Sequence, residues 1–282
     1  MQDQNSIINL TAVQDFRRAR RQAALEDIMG RLTGKSIGLL SYEEVRDKLK
    51  ARKTAGRGLE EIPIDSIIGS VGRYTDFTRD FLPRQDAVED RWVRVKMAAT
   101  GLNKLPPIEV YKIGEAYFVL DGNHRVSVAR QMGNTHVQAY VTELKTKVPF
   151  TPDVGPEDLI IKAEYAEFLE RTRLDELRPG IDLSVTIPGK YRLLEEHIHI
   201  ERYFLSQKKK KEVSYTEAAA HWYDTVYLPL IKAIRAVGIL REFPDRTETD
   251  LYLWLTKHRS EIEAELGWDI KPEVAATDLV AR

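Results

Sequence analysis

No cysteine occurs anywhere in the 282 residues. Disulfides, cysteine zinc sites and thiol nucleophiles are therefore excluded, and the chain suits a reducing, cytoplasmic setting. No apolar run approaches the roughly 18 residues that a membrane span needs, so no membrane partner is expected. The opening MQDQNSIINL has neither a basic n-region nor an apolar h-region, and no secretory signal is expected. Net charge is −1, so no global field draws the molecule to nucleic acid. No internal repeat is visible, and no pair of short helices joined by a tight turn marks a helix-turn-helix reader. What is present is ordinary for a globular protein of about two domains, 43% hydrophobic and 31% charged.

The charge is unevenly spread. Residues 1–58 hold twelve Lys/Arg against seven Asp/Glu. Residues 11–30 read as a helix carrying Arg17, Arg18, Arg20 and Arg21, either a patch for nucleic-acid phosphates or a solvated face. Gly34-Lys35-Ser36 resembles the end of a Walker A loop, but Met29 stands where its first glycine belongs and a helix precedes it. Ser41 with Glu44 forms a capping box opening SYEEVRDKLK, and ARKTAGRG (51–58) reads as a linker. Three parts are thus expected: a basic helical arm (1–58), a small mixed domain (59–148) and a mainly helical domain (149–282).

The middle part is organised around YFVLDGNHRVSVARQMG (117–133). Tyr117–Leu120 is a continuous apolar run, as in a strand buried on both faces. Asp121, Gly122 and Asn123 favour a turn. Val126, Ala129 and Met132 then recur at helical spacing before Gly133, a C-cap. A helix start leaves amides unpaired and carries partial positive charge, which suits phosphate. His124 and Arg125 would add side-chain donors. Asp121 beside such a site would bind a metal, orient His124 or accept a proton. The same residues also suit a plain β-turn-α connection, with Asp121 or Asn123 as N-cap and Arg125 in solvent. Spacing alone leaves both readings open.

Around this stretch, Ile62–Ile67 reads as a strand and Arg91–Thr100 as a helix. Ile108–Tyr111 and Tyr117–Leu120 form a hairpin about Gly114, and Val137–Val141 closes the set. Gly69–Phe77 reads as a ligand-wrapping loop. Within it Asp76 is a metal or base candidate, or a helix N-cap before Phe77.

From about Glu61 to Leu144 the chain resembles the ParB/sulfiredoxin superfamily of small α/β domains. The resemblance rests on the opening strand from Ile62, LPPIEV (105–110) and the loop Asp121-Gly122-Asn123-His124-Arg125. It implies nucleotide binding at that loop, with phosphates on Gly122, Asn123, Arg125 and Arg73, and with Asp121 and His124 as catalytic residues. The ligand implied is ATP, ADP or CTP with Mg²⁺, near Asp121 and Asp76. The DGNHR form is closest to the free-serine-kinase-like members, which implies phosphoryl transfer or nucleotide hydrolysis. Sulfiredoxins reduce through a cysteine in this loop; Asn123 stands there, so that chemistry is excluded. The rival reading is a non-enzymatic DNA-binding or nucleotide-gated regulator of ParB type. A nuclease would need a metal cluster that Asp76 and Asp121 alone do not make.

Past Pro149, Pro152 and Pro156, Asp182–Ile187 alternates like a strand. The HIHI run (197–200) keeps helical spacing, which turns His197 and His199 to different faces and speaks against a metal site there. Lys208–Lys211 reads as an exposed loop. Ser214 with Glu217 opens a helix to Ala236 kinked at Pro229, and a last helix follows Thr247 and closes at Gly267. The fold class expected is α+β.

Overall fold

The computed structural model describes residues 2–34, 37–100 and 105–266. Lys35, Ser36 and Gly267 fall outside them. The fold is α+β and divides into two units, Met1–Leu159 and Ile160–Arg282.

The first unit opens with one long helix, α1 (Gln2–Thr33). Ala12, Phe16, Ala19 and Ala23 are its buried stripe, spaced at i, i+4, i+7 and i+11 as one helix face requires. They pack on Trp92 and Val93 of α3 (Glu89–Thr100) and on Leu82. Ion pairs Arg84–Asp27 at 2.8 Å and Lys96–Asp15 at 3.2 Å fasten the same face. Residues 1–58 are therefore built into the first unit and do not form a separate arm. The arginines drew attention to the solvent side, while the alanines opposite do the packing.

The sheet runs β1 (Leu40–Ser41), β3 (Ile67–Ser70), β5 (Ala116–Asp121), β4 (Ile108–Ile113), β6 (His136–Lys145), β2 (Arg52–Pro63). β4 and β5 form the expected antiparallel hairpin, with Gly114 at φ 59° in its turn. Ser41 caps α2 (Tyr42–Lys48) by accepting from the Glu44 amide at 3.4 Å.

Two expectations fail on the edges. Residues 51–58 are no linker: from Arg52 the chain is edge strand β2, paired antiparallel with β6. The partner supplies the order that local composition does not. The expected strand Ile62–Ile67 is instead split: Ile62 and Pro63 end β2, a 3₁₀ turn spans Ile64–Ser66, and β3 begins at Ile67. Gly69 and Ser70 belong to that buried strand, so the loop starts only at Val71.

α4 (Asn123–Gln131) lies between two cores. Val126 and Ala129 pack against the sheet with Ile62, Ile108 and Val119. Val128 faces Phe16 and Trp92, and Trp92 Nε1 donates to Ser127 Oγ at 2.8 Å. The helix that follows the 121–122 turn is thus held on both sides.

The helix α5 (Pro156–Thr172) spans the boundary between the units. The second unit continues as α6 (Leu174–Leu177), α7 (Lys190–Lys209), α8 (Tyr215–Trp222), α9 (Leu228–Val237) and α10 (Glu248–Leu266). Ser214 caps α8 as expected, and a π turn over Tyr223–Tyr227 precedes Pro229. Asp182–Ile187 is not a strand. Its amides are taken by side chains: Leu183 N by Tyr165 Oη at 3.0 Å and Ser184 N by Asp182 Oδ1 at 2.8 Å. Trp222, Tyr227 and Tyr252 form a buried aromatic core. Among the described residues no helix is long and apolar enough to cross a membrane.

Candidate phosphate site at the start of α4

At the end of β5 the chain must reverse into α4 within one residue. Gly122 does this at φ 121°, ψ 15°, a conformation that side chains rarely adopt. A Cβ at Gly122 would stand 2.5 Å from Ile108 Cγ2. Because glycine occupies the N-cap, no side chain caps α4, and no acid lies in its first turn. The first-turn amides, those of Asn123, His124 and Arg125, are the ones that a helix leaves without intrahelical partners.

The side chains sort differently from the sequence expectation. Asn123 turns inward: its Nδ2 donates to Ser70 Oγ at 2.9 Å, and Ser70 Oγ donates to the Val119 carbonyl at 3.1 Å. Only its backbone amide remains for an anion. Arg125 is a fastener. Its Nη1 donates to the carbonyls of Pro106 at 2.9 Å and Pro107 at 2.7 Å, and its Nη2 donates to the Asp121 carboxylate. Asp121 is more than half exposed and held in that ion pair.

His124 is buried, 4% exposed, edge-on to Phe77 at 5.4 Å. Its Nε2 is buried without a hydrogen-bond partner, a state that costs about 1–3 kcal/mol. Burial first, then the charges of Arg91 and Arg73, push its pKa down to about 4, against an opposing contribution from Asp121. The imidazole is neutral at pH 7.

Arg73 lies on the loop after β3, half exposed, and pairs with Asp76 at 3.2 Å. Asp76 caps no helix, since Phe77 enters a bridge with Pro83 instead. Both acids of the sequence reading are thus ion-paired to arginines. Among the described residues no three metal-ligating side chains lie together.

Two functional candidates were hidden in the sequence. Arg91 and Arg94, three apart on α3, line an open groove of about 540 Å³ together with Arg125, Val95, Leu105 and Pro106. Trp92, fully buried, sets the rotation of α3 that points them there. The i, i+3 spacing in Arg91-Trp92-Val93-Arg94 was the available signal, but nothing local joins it to a loop thirty residues away.

The His124 environment makes a pH prediction. The folded imidazole titrates near pH 4, and the unfolded one near 6.5. Between those values the unfolded state binds more protons, so stability falls as pH falls. At pH 5 the loss relative to pH 7 should be roughly 2 kcal/mol in excess of that of a His124→Gln variant. Urea unfolding of both proteins at the two pH values measures it; parallel profiles would mean that the imidazole is not held neutral.

No family model matches the chain, and no curated protein does. Among solved structures, sulfiredoxin from Arabidopsis thaliana is 15% identical and matches over 31% of this chain and 88% of its own, with a TM-score of 0.25.

Proposed function

We propose that the first unit binds a nucleotide through its phosphates at the start of α4, with phosphoryl transfer or nucleotide hydrolysis as its chemistry. One observation carries this reading. An uncapped helix start, fixed by Gly122, holds a buried His124 with an unpaired nitrogen, and Arg91 and Arg73 stand near enough to depress its pKa. Such a place favours an anion by helix dipole, amides and side-chain charge together. The groove of Arg91, Arg94 and Arg125 continues the same charge. In this reading Arg125 acts mainly by holding the Pro106–Pro107 turn, and Asp121 must leave Arg125 before it can take a proton. Mg²⁺ would enter on the phosphates as their counter-ion.

ATP, ADP, CTP and GTP, each with and without Mg²⁺, should be tested for thermal stabilisation. At least one should raise the melting temperature, since a ligand of the folded state contributes about 2.7 kcal/mol at a hundredfold excess over Kd. No shift at millimolar concentration with any of them would overturn the reading.

A DNA-binding regulator is the second reading, favoured by the exposed Arg17, Arg18 and Arg21 on α1; Arg20 is partly occupied by Asp86 at 3.3 Å. It would gain if tight, sequence-selective DNA binding survived neutralising all four; weak binding that lost its salt dependence, at a slope of about −0.9 per phosphate contact, would count against it.

A further inference from the structure

The second unit contains a cavity of about 550 Å³ between α7, the segment before α10, and α10, within the size range of small-molecule sites. Most of its wall is apolar, from Leu193, Phe243, Leu251 and Trp254. Among the described residues of that wall are the cations Lys190, Arg246 and Lys257, the last engaged in a contact of its own, and the carboxylate of Asp250. The carboxylate is committed to the fold. It accepts from the Thr186 amide at 3.2 Å and hydroxyl at 2.8 Å, and from the Thr247 amide and hydroxyl, both at 3.1 Å. It ties the 184–187 segment to the start of α10, and among the described residues it makes no ion pair with Lys190 or Arg246.

His197 supplies the remaining polar group, and its tautomer can be assigned. The Trp222 indole N–H can only donate, and it donates to Tyr252 Oη at 3.0 Å. The phenol's own proton is then left for His197 Nδ1, 2.9 Å away. Nδ1 accepts, so in the neutral ring the hydrogen sits on Nε2. Burial keeps that ring neutral by pushing its pKa down. His197 lines the cavity, whereas Tyr252 and Trp222 do not, and no described residue accepts from Nε2–H. The cavity therefore has a hydrogen-bond donor in its wall beside two cations, Lys190 and Arg246, that are not ion-paired with its carboxylate.

We infer that this cavity binds a small organic acid, its one anionic head held by Lys190, Arg246 and His197 Nε2–H and its apolar body laid against Leu193, Phe243 and Trp254. A bare inorganic anion would leave the apolar wall uncovered, and an uncharged apolar molecule would cover Lys190 without giving it an anionic partner. The inference does not depend on the nucleotide reading of the first unit.

The test is calorimetric titration of the full-length protein with 2-naphthoate and with decanoate, using 2-naphthamide and decanamide as neutral twins. At least one acid should bind with micromolar Kd, and its amide at least tenfold more weakly. Lys190→Gln should weaken the acid roughly tenfold at an unchanged melting temperature. His197→Phe should weaken it similarly, and His197→Gln, which can still donate, should recover part of the loss. Absence of binding by both acids at 1 mM, equal affinity for acid and amide, or full affinity in folded Lys190→Gln and His197→Phe proteins would each overturn the inference. Arg246→Gln is a weaker probe, because Arg246 also donates to Thr186 Oγ1 at 2.9 Å.

Discussion

Gly122→Ala should lower the melting temperature of the first unit by on the order of 10 °C. Two penalties act together. The backbone at φ 121° is strained for any residue with a side chain, by about 1–3 kcal/mol. The new methyl would also stand 2.5 Å from Ile108 Cγ2 and 2.9 Å from Ile108 Cβ, and Ile108 is fully buried at the base of β4. Overpacking of that kind costs about a further 1–3 kcal/mol. For a unit of this size each kcal/mol lowers the melting temperature by roughly 2–4 °C. Gly133→Ala is the matched control: φ is 78° there, but nothing lies within 4 Å of the added Cβ. Only the left-handed strain remains, about 1–2 kcal/mol. Scanning calorimetry of the two variants should show a much larger fall for Gly122→Ala. Equal falls would mean that the tight turn onto Ile108 does not limit the fold. Nucleotide stabilisation should also disappear in Gly122→Ala, because the first-turn amides move with the turn.

The second large effect separates binding from architecture. Arg91→Gln should weaken nucleotide affinity roughly ten- to a hundredfold, since a charge-assisted contact contributes about 1.5–3 kcal/mol. Its stability should hardly change: the Arg91 side chain is exposed and no described residue bonds it. Arg125→Ala should lose both affinity and stability. It removes the donors to Pro106 and Pro107 and the partner of Asp121 at once. Titration calorimetry and urea unfolding of the two variants give the comparison. Full affinity in Arg91→Gln would take the α3 groove out of the site. Weakened affinity in Arg125→Ala at unchanged stability would reverse the roles given to these residues, making Arg125 the direct contact.

What could be read from the sequence was what neighbours along the chain decide. The strand–turn–helix from Tyr117 to Gly133 was legible because its apolar run, its glycine and its helical period lie within seventeen residues. The caps at Ser41 and Ser214 each depend on a residue three positions on, and the hairpin turns about one glycine. The α+β class followed from those pieces.

Tertiary structure decided everything whose partner lies far away. Arg52 becomes strand because Lys145 pairs with it, although its own segment has the composition of a linker. Asp182–Ile187 has a strand's alternation but no strand beside it, and Tyr165 and Asp250 take its amides instead. The site shows the same division. Gly122 and the helix start were visible locally; the inward turn of Asn123 onto Ser70, the use of Arg125 as a fastener and the arrival of Arg91 were not. The physical reason is that a glycine conformation or a cap is set by steric and hydrogen-bonding terms within a turn, whereas the direction of a buried or charged side chain is set by whichever distant backbone the core brings to it.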